Sequence, residues 1–409
     1  MTVNLKAPLK KSILNVPGFR FLTFGAKIKL KNIKNDIVIV ELNKHSKTAA
    51  VFTKNKFCAA PVLLAKHNLT SNDPQLFVIN SGNANAGTGQ KGIEDAREIN
   101  RELGKYFSLD PNLILPFSTG VILQNLPLGR IKDSFKNNLA NIKYGSNWID
   151  PAKSIMTTDT VPKAVSKKFN LGRNEITCTG IAKGSGMIHP NMATMLGFIF
   201  LDAKISKTLL KDLVKYVADR SFNLISVDGD TSTNDAFVIS TSNLAQNPVI
   251  NKKDKMYTRL RNNVLEIAKD LAEKIVRDGE GATKFVEIEV RNAKDLNESK
   301  IIGKAIANSP LVKTAFFASD PNLGRILSAI GNAPISDLDV SVIDLHLNKN
   351  IVVKNGMLSK RYSEDKAIQA MKSKEFKLSI DLKRGKEVAT ILTTDLSYEY
   401  VKINAEYRT

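Results

Sequence analysis

Residues 176–202 read ITCTGIAKGSGMIHPNMATMLGFIFLD, and this stretch restricts the fold more tightly than any other. Gly180, Gly184 and Gly186 break any regular element through its first half. From Met195 to Leu201 the chain then turns strongly apolar, as a buried strand does. An irregular loop therefore enters a core strand, and Thr194 stands at the junction. A helix should follow, capped by Ser206, with Leu209, Leu210, Leu213, Val214 and Val217 facing inward.

The rest of the chain supplies both periodicities. Residues 37–42 and 51–53 are β-branched and apolar, with polar neighbours. Residues 76–80 (LFVIN) form a short apolar run that ends in the Gly/Asn-rich loop SGNANAGTGQKG, after which Ala96, Ile99, Leu103 and Tyr106 recur at helical spacing. Residues 243–255 are polar and carry a proline, which predicts a surface loop. A long helix is predicted over 257–277, with Leu260, Val264, Ile267, Leu271 and Ile275 as its apolar stripe and Gly279 as its stop. Residues 285–290 (FVEIEV) alternate as a half-buried strand does, and further strands are predicted at 340–345, 376–382 and 388–394. The class is α/β or α+β with antiparallel or mixed sheets. At 409 residues, two domains are expected.

Composition narrows the function classes. Hydrophobic residues make up 43% and charged residues 24%, as in an ordinary globular protein. Cys58 and Cys178 are far apart in sequence, so a disulfide framework is not expected and a reducing compartment fits. His45, His67, His189 and His346 are scattered without metal-ligand spacing. Sixty Lys+Arg against 40 Asp+Glu give a net charge of +20, which raises the question of nucleic acid. The basic residues are spread out, however, in doublets such as Lys10-Lys11 and Lys167-Lys168, with no arginine-rich arm. A solvated, lysine-biased surface is the simpler reading, with no nucleic-acid partner. No signal peptide is expected, and no apolar run approaches membrane-spanning length, so the cytoplasm is the expected address and no membrane partner is expected.

Conventional motifs do not carry the chemistry. Gly87-x-Gly89-x-x-Gly92 matches the dinucleotide pattern, but its first glycine lies seven residues past the expected strand end, where the fingerprint needs the tight turn immediately. The run beginning at Asp228 looks calcium-like, yet its sixth position is Thr233 and its twelfth is Ile239, so an EF-hand is rejected. What remains is threonine. A threonine hydroxyl is a weak nucleophile without an adjacent base, and one solution places it at a new chain terminus, where its own α-amine serves. Such an amine has a pKa of roughly 7.7–8.0, suited to proton transfer near neutrality. Ala193-Thr194 is a candidate cleavage point: Ala193 is small, and the glycine-rich loop before it accommodates strained geometry.

The run KGSGMIHPNMATML, residues 183–196, closely resembles the cleavage-site segment of the ornithine acetyltransferase family. The resemblance extends to VINSGNANAGTG, FSTGVI, SVDGDTSTNDA, RDGEGATKF and the C-terminal VKINAEYRT, and it covers essentially the whole chain in order. It implies an N-terminal-nucleophile-like self-processing fold of layered sheets flanked by helices. A catalytic domain would span 1–283, cut at 193/194 into chains 1–193 and 194–409, and a smaller α/β domain would span 284–409, its tail returning to the site. Thr194 would be the nucleophile, and Thr119 and Gly120 the oxyanion-hole pair, which the residues alone would read as a turn. Thr157, Lys183, Thr194, Glu280, Asn404 and Thr409 would contact substrate. Lys183 suits a substrate carboxylate and Glu280 a cationic amine. Asp228 and Asp235 would orient the site, but they read at least as well as turn and capping residues. The implied reaction is ping-pong transfer of acetyl from N-acetylornithine to glutamate, with no metal or organic cofactor, in a heterotetramer of two alpha and two beta chains. Some members of the family also take acetyl from acetyl-CoA, and no residue here decides that point. An N-terminal-nucleophile aminopeptidase or amidase, which gives the acyl group to water, stays open as the alternative.

Overall fold

A strand whose two faces are both apolar needs a layer packed on each side, and this requirement organises the molecule. The computed structural model describes residues 2–28, 35–189 and 195–406. Among the described residues, fifteen strands form three sheets. In chain order they are β1 (Phe19–Phe24), β2 (Ile37–Leu42), β3 (Lys47–Phe52), β4 (Leu76–Asn83), β5 (Ile114–Val121), β6 (Lys163–Leu171), β7 (Asn174–Lys183) and β8 (Leu196–Leu201). There follow β9 (Ala236–Thr241), β10 (Phe285–Ala293), β11 (Asp344–Leu347), β12 (Asn350–Lys354), β13 (Met357–Leu358), β14 (Glu375–Asp381) and β15 (Glu387–Thr394).

The first sheet has the order β1-β2-β4-β5 and the second β3-β9-β8-β7-β6. They stack face to face. Val38, Val40, Phe77, Ile79, Leu115 and Phe117 meet Phe198, Phe200, Ala236 and Val238 in one core. Aromatic rings fill much of this layer: Trp148 stacks on Phe200 at 4.5 Å between centroids, and Phe117 meets Phe198 edge-on at 5.1 Å. The opposite face of the first sheet, with Ile37, Ile39, Leu76 and Val78, is covered by helices Gly89–Phe107 and Leu128–Leu139 through Ile99, Leu103, Ile131 and Phe135. The opposite face of the second, with Ile176, Cys178, Ile199 and Leu201, is covered by helices Lys207–Asp219 and Lys255–Arg277. The result is a helix–sheet–sheet–helix stack, which is why all six residues of β8 are buried.

The outer helices form for the reasons their sequences suggest. Ser206 accepts a hydrogen bond from Leu209 N, and Asp254 caps the long helix by accepting from Met256 N and Tyr257 N. Leu260, Val264, Ile267, Leu271 and Ile275 are each 1% exposed or less, as expected of the stripe. Burying one such side chain contributes roughly 1.5–3 kcal/mol. The six-stranded third sheet, β13-β12-β11-β14-β10-β15, is built from 285–394 and is covered by helices that include Leu296–Ala307 and Pro310–Ala318. All three sheets contain parallel and antiparallel pairs, as the mixed class requires.

Five local expectations need correction. Gly180 breaks nothing: β7 runs from Asn174 to Lys183 with Gly180 paired to Val165 and Ile199, because strands on both sides supply its backbone bonds, so the irregular stretch begins only at Gly184. The strand at 76–80 continues to Asn83, because β5 offers a parallel partner as far as Val121 and Asn80 Nδ2 donates to Asn83 O at 2.8 Å. The strand expected at 51–53 begins at Lys47, where β9 provides an antiparallel partner. Tyr106 is 38% exposed, since Phe107, four residues after Leu103, takes the last contact with that core. The strand expected at 340–345 starts only at Asp344. Residues 340–342 form a single 3₁₀ turn, started by the Asp339 carboxylate, which accepts from Ser341 N.

Candidate active site

The site lies at one end of the stacked sheets. There Lys183, the last residue of β7, shares a rung with Leu196 at the start of β8 and Ala236 at the start of β9. Across the sandwich, β5 reaches Thr119 and Gly120 beside the end of β4. The sequence Ser118-Thr119-Gly120 is thus strand rather than the turn its composition suggests. Gly120 has φ +132°, and a Cβ there would lie 2.3 Å from the Gly82 carbonyl carbon and 2.5 Å from Asn83 N. Only glycine allows the two strand ends to come this close. Asn234 braces them by donating its Nδ2 to Ala84 O (2.6 Å) and Ser118 O (3.0 Å).

A cavity of about 250 Å³ opens here. Pockets for drug-sized ligands run to roughly 300–1,000 Å³, so this one suits a small metabolite. Thr119, Gly120, Thr157, Lys183, Glu280 and Asn404 all line it. Thr194, Ala193 and Thr409 lie outside the described residues, whereas Ile188 and Met195, which flank 190–194, line the same cavity. Lys183 Nζ donates to Thr119 Oγ1 at 3.1 Å. The Thr119 hydroxyl therefore accepts from the lysine and keeps its own hydrogen to donate into the cavity.

Glu280 follows the long helix, with its N–H on Ser185 O at 3.0 Å and its Oε2 accepting from Asn404 Nδ2 at 3.0 Å. Its carboxylate lies against Gly186, where a Cβ would come within 2.3 Å of Oε2. Asn404 belongs to helix Tyr398–Glu406, which buries no residue of its own yet brings Tyr400 and Asn404 to the cavity. Thr157 sits before β6, and its N–H donates to Asp159 Oδ2 at 3.0 Å.

Burial dominates the electrostatics. It pulls the Lys183 ammonium below the ordinary lysine pKa, opposed by Asp159, Asp235 and Glu280 and reinforced by Lys163. Burial raises Asp228 to about 6, although the N–H groups of Met187 (2.6 Å), Ile188 (2.8 Å) and Asp230 (3.2 Å) stabilise its charged form. Asp228 thus holds Met187 and Ile188, just before 190–194, and does more than turn the chain. Asp235 is 2% exposed, burial pushes its carboxyl well above the usual range, and its Oδ2 has no hydrogen-bond partner. His189 is driven down to about 4 by burial and by Lys304, so its imidazole is neutral at pH 7. Its Nδ1 lies 3.2 Å from both Ser226 Oγ and Asn308 Nδ2.

The sequence motifs did not single out Asp159, Asp278 or Tyr400, and they left Asp235 between an orienting and a turn role. Two signals were available, since Asp159 closes MTTD and Asp278 opens DGEG beside the residues that were selected. The Gly87–Gly92 loop serves its own turns. Asn85 Nδ2 donates to Gly92 O at 2.9 Å and Thr88 Oγ1 to Asn85 Oδ1 at 2.8 Å, so these side chains fill the start of helix Gly89–Phe107. Cys58 and Cys178 are both free thiols. Among the described residues no group of three or more His, Cys, Asp or Glu is arranged to hold a metal.

Comparison with known proteins agrees with the sequence resemblance. The ArgJ family profile matches residues 20–409. The arginine biosynthesis bifunctional protein ArgJ of Neisseria meningitidis serogroup A is 46% identical over 411 residues, covering all of both chains. The protein of that name from Colwellia psychrerythraea is 44% identical over 426 residues, again over all of both chains. Among solved structures, the arginine biosynthesis bifunctional protein ArgJ of Bacillus halodurans matches with 36% identity and a TM-score of 0.48, covering 50% of this chain and 96% of that one.

Proposed function

Since the chain belongs to the ArgJ family, we propose that it transfers an acetyl group from N2-acetylornithine to glutamate through an acetyl ester on Thr194, after cutting itself at Ala193-Thr194. The observation that carries this reading is convergence. Thr119, Gly120, Thr157, Lys183, Glu280 and Asn404 come from five separated segments and line one small cavity. The full-length family match favours an acetyltransferase of arginine biosynthesis over the hydrolase alternative.

The proposed sequence of steps is as follows. The Thr194 hydroxyl attacks the Ala193 carbonyl, the acyl group passes from nitrogen to oxygen and so frees the Thr194 α-amine, and water then hydrolyses the resulting ester, releasing the Ala193 carboxylate and restoring the hydroxyl. In turnover this amine takes the hydroxyl proton as Thr194 Oγ attacks the acetyl carbonyl of N-acetylornithine. The Thr119 hydroxyl and the Gly120 N–H donate to the oxyanion, a contribution of about 2.7–4 kcal/mol per donor. The ammonium so formed returns the proton to the departing ornithine nitrogen. Glutamate then attacks the acetyl ester by the reverse route and leaves as N-acetylglutamate. Lys183 pairs with a substrate carboxylate, while Glu280, steadied by Asn404, receives a cationic amine. Thr157 and Thr409 complete the substrate contacts.

The finer organisation belongs to the same proposal. We assign 1–283 to the catalytic domain and 284–409 to a smaller α/β domain, a division supported by the separate sheet and core of 285–394. The cut chains form a heterotetramer of two alpha and two beta chains. The enzyme works in the cytoplasm, a reading with which the described helices agree, none being long and apolar enough to cross a membrane. Acetyl-CoA is the second donor we attach to the word bifunctional in the relatives' names.

Intact mass and N-terminal sequencing of wild type beside Thr194→Ala, followed by acetyl transfer from N-acetylornithine to glutamate, test the reading. Two fragments, one starting at Thr194, with an uncut and inactive variant, are expected. An uncut wild type that still transfers acetyl overturns the terminal-amine mechanism, and cleavage with hydrolysis alone overturns the transferase assignment.

A further inference from the structure

Behind the cavity wall lies a cluster of charges shut off from solvent. The side chain of Lys163, the first residue of β6, is 0% exposed, and those of Asp159 and Asp278 are 0% and 1% exposed. Lys163 Nζ sits 2.6 Å from Asp159 Oδ1 and 2.6 Å from Asp278 Oδ2. Neither carboxylate stops there. Asp159 also accepts from Gly184 N at 2.7 Å and Thr157 N at 3.0 Å. Asp278 accepts from Thr160 N at 2.9 Å, from Val161 N at 3.2 Å and from the Thr160 hydroxyl.

These partners place the cluster among three chain segments. Thr157 is bound directly, Gly184 is the neighbour of Lys183, and Asp278 lies two residues before Glu280. A buried ion pair is weak evidence for stability, because the desolvation penalty offsets its attraction and a packed apolar trio would often serve as well. What the charged trio supplies, and an apolar one would not, is directional bonding to the backbones of two segments, 157–161 and Gly184, from a third that carries Asp278. The charges also fit the site. Two carboxylates against Lys163 leave one negative charge over, close to the Lys183 ammonium. Although burial pushes Asp159 up, Lys163, Lys183 and the Gly184 N–H hold it below the usual carboxylate range, so it stays an anion.

We propose that Lys163, Asp159 and Asp278 form a positioning hub that fixes the spacing of Thr157, Lys183 and Glu280, and through that spacing sets the binding of both amino-acid substrates. The inference rests on the reading that those three residues hold substrate. None of the hub residues lines the cavity, so they act through other groups.

Asp159→Asn and Asp278→Asn test this, since asparagine keeps the size and one acceptor oxygen while removing the charge. KM and kcat for N-acetylornithine and for glutamate should be measured beside wild type, together with thermal melts. The expected result is a KM raised about tenfold or more for both substrates in folded, self-cleaved variants, as misplacement of substrate groups by a fraction of an ångström produces. A purely structural role would lower the melting temperature and the amount of active enzyme, and so the apparent kcat, while leaving KM within about twofold of wild type. That result overturns the hub, as does failure of both variants to fold. A wild type without acetyl transfer would sink the proposed function and this inference together, whereas a working wild type with unmoved KM values in the variants sinks this inference alone.

Discussion

Gly120→Ala separates the packing of the site from its chemistry. The new Cβ would have to lie 2.3 Å from the carbonyl carbon of Gly82 and 2.5 Å from Asn83 N, and both are backbone atoms with no rotamer to retreat into. The φ of +132° is also one that alanine resists. Strain at such a φ costs about 1–3 kcal/mol and overpacking a tight contact about 1–3 kcal/mol, so a loss of roughly 2–6 kcal/mol in stability is expected. The strand ends would separate to relieve the clash, taking the Gly120 N–H with them. If that N–H stabilises the oxyanion, the acylation rate should fall by about 10²–10³. The assay is single-turnover formation of acetyl-enzyme from N-acetylornithine, followed by intact mass, at a temperature well below the variant's melting point. Gly129→Ala is the control, because nothing lies within 4 Å of a Cβ there. A Gly120→Ala protein that melts like wild type refutes the packing argument. One that is destabilised but acylates at the wild-type rate refutes the oxyanion role.

Three further outcomes follow from the same geometry. Gly186→Ala would put a Cβ 2.3 Å from Glu280 Oε2 and push aside the end of a flexible side chain. Steady-state kinetics should show a KM for the cationic amino acid raised about tenfold with little change in melting temperature, and an unchanged KM counts against Glu280 as the amine receptor. A histidine NMR titration should place the His189 midpoint near 4, and a midpoint above about 6 overturns the burial argument. Asp228 titrates at about 6 in the fold, so between pH 4 and 6 the folded state holds a proton that the unfolded chain has released. Its contribution to stability therefore weakens as pH rises through that window and is smallest above it. Asp228→Asn should remove this part of the melting-temperature slope, and an unaltered slope contradicts the assignment.

The helices were legible because one covered face imposes a 3.6-residue period, and Leu260 to Ile275 show it without help from the rest of the chain. The apolar run 195–201 announced a buried strand for a similar reason, since hiding both faces leaves no polar positions. The β6–β7 hairpin was not legible. Its first strand carries Ser166, Lys167 and Lys168, whose polarity hides the strand until the pairing with Asn174–Lys183 is seen. Ser118-Thr119-Gly120 likewise carries turn residues, and only the parallel pairing to Asn80–Gly82 makes it a strand.

The functional residues divide along the same line. Long local motifs drew attention to Thr119, Gly120, Thr157, Lys183, Thr194, Glu280, Asn404 and Thr409, because a run of adjacent residues is visible in one dimension. The sequence by itself thus determined the chemistry to look for, the outer helices and the central strand. Tertiary structure alone decided that Lys163, one of 60 Lys+Arg residues, is wholly buried between Asp159 and Asp278. It also decided that Asp235 has a carboxylate oxygen with no partner. The physical reason is that residue type fixes only whether a side chain can ionise, whereas its desolvation and its partners depend on which distant segments the fold brings beside it, here 115 residues away in the case of Lys163 and Asp278.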